Sequence, residues 1–167
     1  MAEASHRQYR YGRVAVGGTF DRLHQGHKAL LEKAFSVGRE VLIGVSSDQM
    51  AKSKRACGVA SFEERVARLI NFIRERGWLD RACIMKIESP EGVLLEDPSI
   101  EALVVSEETL ERGLDINRRR AERGLPPYKL EVVSMVLAED GRPISSSRIR
   151  AGEIDEEGRL RRSRPSK

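Results

Sequence analysis

A chain of 167 residues has the length of one ordinary domain, large enough to bury a real core and too short for two full ones. Its 40% hydrophobic and 34% charged residues exclude a collagen-like or wholly disordered chain and suit a globular body with a highly charged surface. The net charge of +4 favours an anionic partner and leaves three classes open: nucleic acid, a membrane surface or a phosphorylated small molecule.

Many Arg and Glu beside few Asn and Gln fit a heat-resistant protein, or a GC-rich genome. Cys57 and Cys83 have no C-x-x-C spacing, so neither a disulfide framework nor a thiolate metal cage is expected. Residues 1–12 form a polar leader without an apolar signal core, and no run of about 18 apolar residues follows. These features point to the cytoplasm and away from a membrane.

Val14-Ala15-Val16 reads as a short strand stopped by Gly17-Gly18, and a helical pattern through Ala29, Leu30, Leu31, Ala34 and Phe35 runs to Gly38. Val41 to Val45 is a continuous apolar run, as in a strand buried on both faces, and a Lys- and Arg-rich loop comes next. Ser61-Phe62-Glu63-Glu64 has capping-box spacing and opens a second helix that closes at Gly77. Ala82 to Ile87 and Ile100 to Val105 read as strands, with a Pro- and Gly-punctuated stretch of undecided structure between them. Thr109 to Arg123 reads as a charged helix, Leu130 to Leu137 as a fifth strand, and Ser145 to Arg150 as a final helix start.

This alternation predicts an α/β fold, a doubly wound parallel sheet of about five strands with helices on both faces. Ligands of such sheets sit beyond the carboxyl ends of the strands, so the site is expected after Val16, Val45 and Val105. The domain is placed at residues 13–152. Residues 153–167, polar and Arg-rich, are expected to be a disordered basic tail.

Glycines after a strand let a bulky anion approach the backbone, and the mouth of the next helix offers N–H groups and a positive dipole end. His24 and His27 stand there three residues apart, on one side of a helical turn. Imidazoles donate hydrogen bonds to phosphate whether neutral or charged. A metal site would need further ligands, and the remaining histidine is His6 in the leader, so no metal residues are assigned. Asp21 has two readings, a brace for the turn through local N–H groups or an aid to a metal, and the brace is preferred.

The run from Gly17 to His27, Gly-Gly-Thr-Phe-Asp-Arg-Leu-His-Gln-Gly-His, resembles the G-G-T-F-D-x-L-H-x-G-H signature of the H-x-G-H nucleotidyltransferase superfamily. Class I aminoacyl-tRNA synthetases carry a similar motif, but this chain lacks their length and a K-M-S-K-S-like segment. Ile144-Ser145-Ser146-Ser147-Arg148-Ile149-Arg150 is similar to the superfamily's I-S-S-[ST]-x-x-R stretch, and Val104 to Thr109 with Gly113, Ile116-Asn117, Arg120 and Gly124-Leu125-Pro126 resembles the archaeal and eukaryotic phosphopantetheine adenylyltransferases.

The resemblance, which spans 13–150, implies a Rossmann-like body that uses ATP with Mg²⁺ and transfers its adenylyl group to 4′-phosphopantetheine, giving dephospho-CoA and pyrophosphate. It implies catalytic roles for Thr19, His24, His27 and a loop lysine, Lys54 in preference to Lys52. It implies nucleotide contacts for Gly17, Gly18, Phe20, Gly26, Ser106, Glu107, Thr109, Ser145, Ser146, Ser147, Arg148 and Arg150. Asn117 and Arg120 are placed in the same cleft or on a solvated helix face. Rival readings are a glycerol- or choline-phosphate cytidylyltransferase, a nicotinamide-nucleotide adenylyltransferase, or a nucleotide- or RNA-binding module. Aromatic residues are 5% of the chain, which argues against a stacking surface for nucleic acid. A monomer is expected.

Overall fold

The computed structural model describes residues 9–54 and 58–161, apart from the side chains of residues 53 and 54. Five parallel strands form one sheet in the order β3-β2-β1-β4-β5: β1 (Tyr11–Gly18), β2 (Gly38–Ser46), β3 (Ala82–Ile87), β4 (Ala102–Ser106) and β5 (Lys129–Val133). The helices are α1 (Gln25–Val37), α2 (Asp48–Lys54), α3 (Phe62–Glu75), α4 (Leu110–Glu122) and α5 (Ser146–Arg150). The order reverses between β1 and β4, which puts the topological switch at the carboxyl end of the strand carrying the two glycines.

Both faces of the sheet are covered. Leu31, Ala34 and Phe35 of α1 and Leu69, Phe72 and Ile73 of α3 pack with Val14, Val16, Val41, Ile43 and Val45 on one side. Ala15, Leu42 and Leu103 point the other way and pack with Ile116 of α4, Leu95, Ile100 and Tyr128. This strict alternation from strands that read as unbroken apolar runs is the mark of a sheet buried on both faces.

Four local expectations change. Gly17 and Gly18 are the last residues of β1, paired with Gly44 and Val45, and the turn proper is 19–23. The segment after β2 begins with a helix, because the Ser47 hydroxyl accepts the Met50 N–H at 3.1 Å and Met50 and Ala51 are buried. β5 stops at Val133, and Leu137 instead makes an antiparallel bridge to Pro143.

The tail expected to be disordered is folded as far as Arg161. Ile154 is fully buried with Ala138, Ile144 and Ile149, and it bridges Leu160. The Glu156 carbonyl accepts the Gln25 N–H at 3.1 Å. One buried isoleucine inside an acidic run anchors the segment, a contribution that averaged composition hides. Residues 162–167 lie outside the described residues.

Candidate active site

The turn between β1 and α1 is strained. Phe20, Arg22 and Leu23 have φ of 55°, 63° and 23°, the left-handed region that side chains avoid, and such residues cost about 1–3 kcal/mol each unless their surroundings hold them. Two buried charges hold this turn. Arg65 of α3 is fully buried and donates to the carbonyls of Thr19 at 2.8 Å, Ser46 at 2.8 Å and Ala60 at 2.9 Å, with Asp48 at 3.2 Å. Asp21, 1% exposed, accepts the Ala60 N–H at 3.1 Å and pairs with Arg150.

His24 is the N-cap of α1. Its Nδ1 accepts the N–H groups of Gly26 at 3.0 Å and His27 at 3.4 Å, while Nδ1 of His27 accepts the N–H of His24 at 3.2 Å. The two rings stack at 3.7 Å between centroids. A ring that accepts at Nδ1 carries its proton on Nε2 when neutral, so both imidazoles are set as Nε2–H donors. Gly26 has a local reason to be glycine, since a Cβ there would stand 2.8 Å from the His24 ring.

These contacts alter the expected role of the helix mouth. The first amides of α1 are already used: Gln25 N–H by Glu156, those of Gly26 and His27 by His24, and that of Lys28 by the His24 carbonyl. An anion at this mouth therefore meets the imidazoles first.

A cleft of about 580 Å³ opens over the carboxyl ends of the strands, the size of a small-molecule site. Gly17, Gly18, Thr19, His24, Gly26 and His27 line it, as do Ser106, Thr109 and Ser145 to Ser147. A Cβ at Gly17 or Gly18 would come no closer than 3.5 Å to the rest of the protein, so the room their missing methyls leave is room in the cleft.

Other expected contacts lie elsewhere. Phe20 does not line the cleft; its ring is in the core, 5.3 Å from that of His27. Glu107 turns away to accept the Met135 N–H at 3.0 Å, and its neighbour Glu108 faces the cleft. Arg148 binds Glu153 at 2.9 Å, Asp140 and the Pro143 carbonyl, and Arg150 binds Asp21, so neither lines the cleft. Asn117 exchanges hydrogen bonds with the Tyr128 backbone, and buried Arg120 binds the Pro126 and Leu94 carbonyls and stacks on the Tyr128 ring. Lys54 is the last residue of α2, and its side chain lies outside the described residues.

The opposite wall went unforeseen. Met85, Ile87 and the segment Pro90 to Leu94 line the cleft, supplying an apolar surface with Glu91 set in it. A hydrogen bond from Arg119 at 2.6 Å holds the Glu91 carboxyl below the usual carboxylate range, so it is ionised at neutral pH. Its sequence signal was the Pro-Glu-Gly punctuation directly after a strand. Arg65 had no signal beyond its place on a helix.

Residues 15–152 match the cytidylyltransferase-like family. A phosphopantetheine adenylyltransferase of Methanopyrus kandleri is 48% identical over 147 residues, which are 88% of this chain and 93% of that one. A solved structure of an Archaeoglobus fulgidus protein of unknown function is 38% identical, with a TM-score of 0.67 over 72% of this chain and 88% of that one. A bifunctional NMN adenylyltransferase/ADP ribose pyrophosphatase of Francisella tularensis shares the fold at 15% identity, with a TM-score of 0.58 over 84% of this chain and 41% of that one. The chain belongs to the cytidylyltransferase-like family, on the branch of the archaeal phosphopantetheine adenylyltransferases.

Proposed function

We propose that the cleft transfers the adenylyl group of ATP to 4′-phosphopantetheine, a step of coenzyme A biosynthesis. The observation that carries this reading is the stacked pair His24 and His27, each held through Nδ1 by backbone N–H groups at the topological switch point. An acceptor phosphate oxygen attacks the α-phosphorus of ATP in line. The bond from that phosphorus to the bridging oxygen breaks, and pyrophosphate leaves as dephospho-CoA forms. No general base is required, because a phosphomonoester has a second pKa of about 6 and is largely dianionic at neutral pH.

What remains for the protein is to align two polyanions and stabilise the charge that builds on the α-phosphate. His27 stabilises the phosphorus as it becomes five-coordinate, Thr19 orients the acceptor phosphate, and His24 with Ser145, Ser147 and the backbone N–H of Ser146 bears the triphosphate, the Ser146 hydroxyl being given to the Asp21 carbonyl. The backbone at Ser106 and Thr109 flanks the nucleoside, while the wall from Met85 to Leu94 receives the pantetheine arm. Mg²⁺ bound with the triphosphate would supply charge neutralisation there, and such a cation needs no all-protein cage. No helix among the described residues is long and apolar enough to cross a membrane, and we assign the reaction to the cytoplasm.

The test is pyrophosphate release from each nucleoside triphosphate with a panel of phosphate acceptors. We expect turnover with ATP and 4′-phosphopantetheine. Release with nicotinamide mononucleotide, glycerol phosphate or choline phosphate in its place would move the chain to another substrate, and RNA binding without any release would remove the enzymatic reading.

A further inference from the structure

The two phosphate-binding segments of the proposed reaction lie far apart in sequence, and Asp21 bonds one to the other. Asp21 sits between two left-handed residues of the strained turn, and all three of its acceptor oxygens are engaged. Its carbonyl accepts the Ser146 hydroxyl at 2.6 Å, Oδ2 takes the Arg150 guanidinium at 2.5 Å, and Oδ1 takes the Ala60 N–H at 3.1 Å. The partners Ser146 and Arg150 are the first and last residues of α5. This five-residue helix is thus tied to the turn at both ends.

We propose that Asp21 and Arg150 form a positioning pair that sets the distance between the His24–His27 donors and the Ser145–Ser147 donors across the triphosphate. The side chains of the pair are 1% and 13% exposed. Charges so buried cost much of what their attraction returns, so such a pair adds little to stability, and fixing a register is the better account of its presence. Arg150 is also enclosed from behind: a Cβ at Gly58, where φ is 101°, would stand 3.2 Å from its Cδ. Arg150 therefore acts on ATP through the turn and not by contact.

This inference rests on the proposed adenylyl transfer. The experiment is a double-mutant cycle on the full chain with Asp21→Asn, Arg150→Gln and both together, reading kcat, KM for ATP and thermal melting. Asn keeps an acceptor for the Ala60 N–H, and Arg150→Lys keeps a charge within reach of the carboxylate, so each side of the cycle has a variant that retains a native bond. A positioning pair predicts that each single variant loses roughly tenfold to a hundredfold in kcat, the scale of a small misplacement of reacting groups. KM for ATP should change by less than about threefold, the double variant should be no worse than the poorer single one, and Arg150→Lys should recover part of kcat.

A rise in KM for ATP of about tenfold in Arg150→Gln with Asp21→Asn unaffected would overturn it, because Arg150 would then touch the triphosphate itself. Lowered melting with unchanged kcat would overturn it in favour of a purely structural brace. If the wild-type chain is active and the two losses multiply independently, the pair alone is refuted. A wild-type chain inert toward ATP and 4′-phosphopantetheine refutes the pair and the reaction together.

Discussion

The mouths of α1 and α4 face each other across one cleft and are built by opposite means. At α1 the chain passes through three left-handed residues, and buried charges on Arg65 and Asp21 hold it there. At α4 the backbone is ordinary, and two small hydroxyls close the turn: Thr109 Oγ1 accepts the Ser106 N–H at 3.0 Å and lies 3.2 Å from Ser106 Oγ. The first mouth stores strain and presents imidazole donors; the second spends its side chains on its own shape. Differential binding of a transition state needs rigid donors where charge develops, whereas a nucleoside needs only a shaped wall. On the proposed reaction, the contrast would put the chemistry at the first mouth and the recognition at the second.

Breaking the charged brace should have the largest effect. Arg65→Met leaves the carbonyls of buried Ser46 and of half-buried Thr19 and Ala60 without this donor, and should lower the unfolding free energy by about 3–5 kcal/mol in chemical denaturation. A loss below about 1 kcal/mol would mean that the strained turn holds itself and that the contrast between the mouths is only one of shape.

His27→Ala comes next, with turnover down roughly 10²- to 10³-fold, the usual cost of one preorganised donor. Because His27 also accepts the His24 N–H, loss of the cap must be separated from loss of the donor. His27→Gln does so, since Gln is an ordinary capping-box residue at this position. Melting should recover in the Gln variant and turnover should not; recovery of both would leave the ring with a capping role only.

How much of this was visible beforehand follows from the range of each interaction. The five strands, the cap at Ser61 and the His24, Thr19 and Ser145–Ser147 lining of the cleft follow from patterns a few residues long. The Glu156 carbonyl on Gln25, the Asp21–Arg150 pair and the Arg65 bonds join residues 131, 129 and up to 46 positions apart, and only the fold brings them together. Hence a sequence can show that an arginine is present near a phosphate motif but not whether a carboxylate has already taken it. Arg148 and Arg150 both have such partners. The segment of 153–161 is the same lesson in packing, since a single buried Ile154 outweighed its polar neighbours.

At the second mouth, Thr109→Val keeps the shape of the side chain and removes the bond to Ser106. It should cost about 1 kcal/mol of stability and change turnover by no more than a few-fold. A rise of roughly tenfold in KM for ATP at unchanged stability would hand the hydroxyl to the nucleotide and blur the division between the mouths.

The smallest expected effect uses acid to tell a charged brace from a neutral one. Asp140 ties α5 to the loop before it; the Arg142 N–H and then the Arg148 guanidinium keep its carboxyl below the usual carboxylate range. A depressed carboxylate pKa contributes stability that is present above the ordinary value and is lost as pH falls through the folded-state value. Asp140→Asn should therefore melt below wild type near neutral pH, and the two curves should converge as pH falls below the ordinary aspartate value. The Thr109→Val curve should stay offset by a constant amount, because a hydroxyl does not titrate in that range. Parallel curves for Asp140→Asn as well would show that its bond to Arg148 is screened at the surface, which would leave Asp21 and Arg65 as the charges that brace the first mouth.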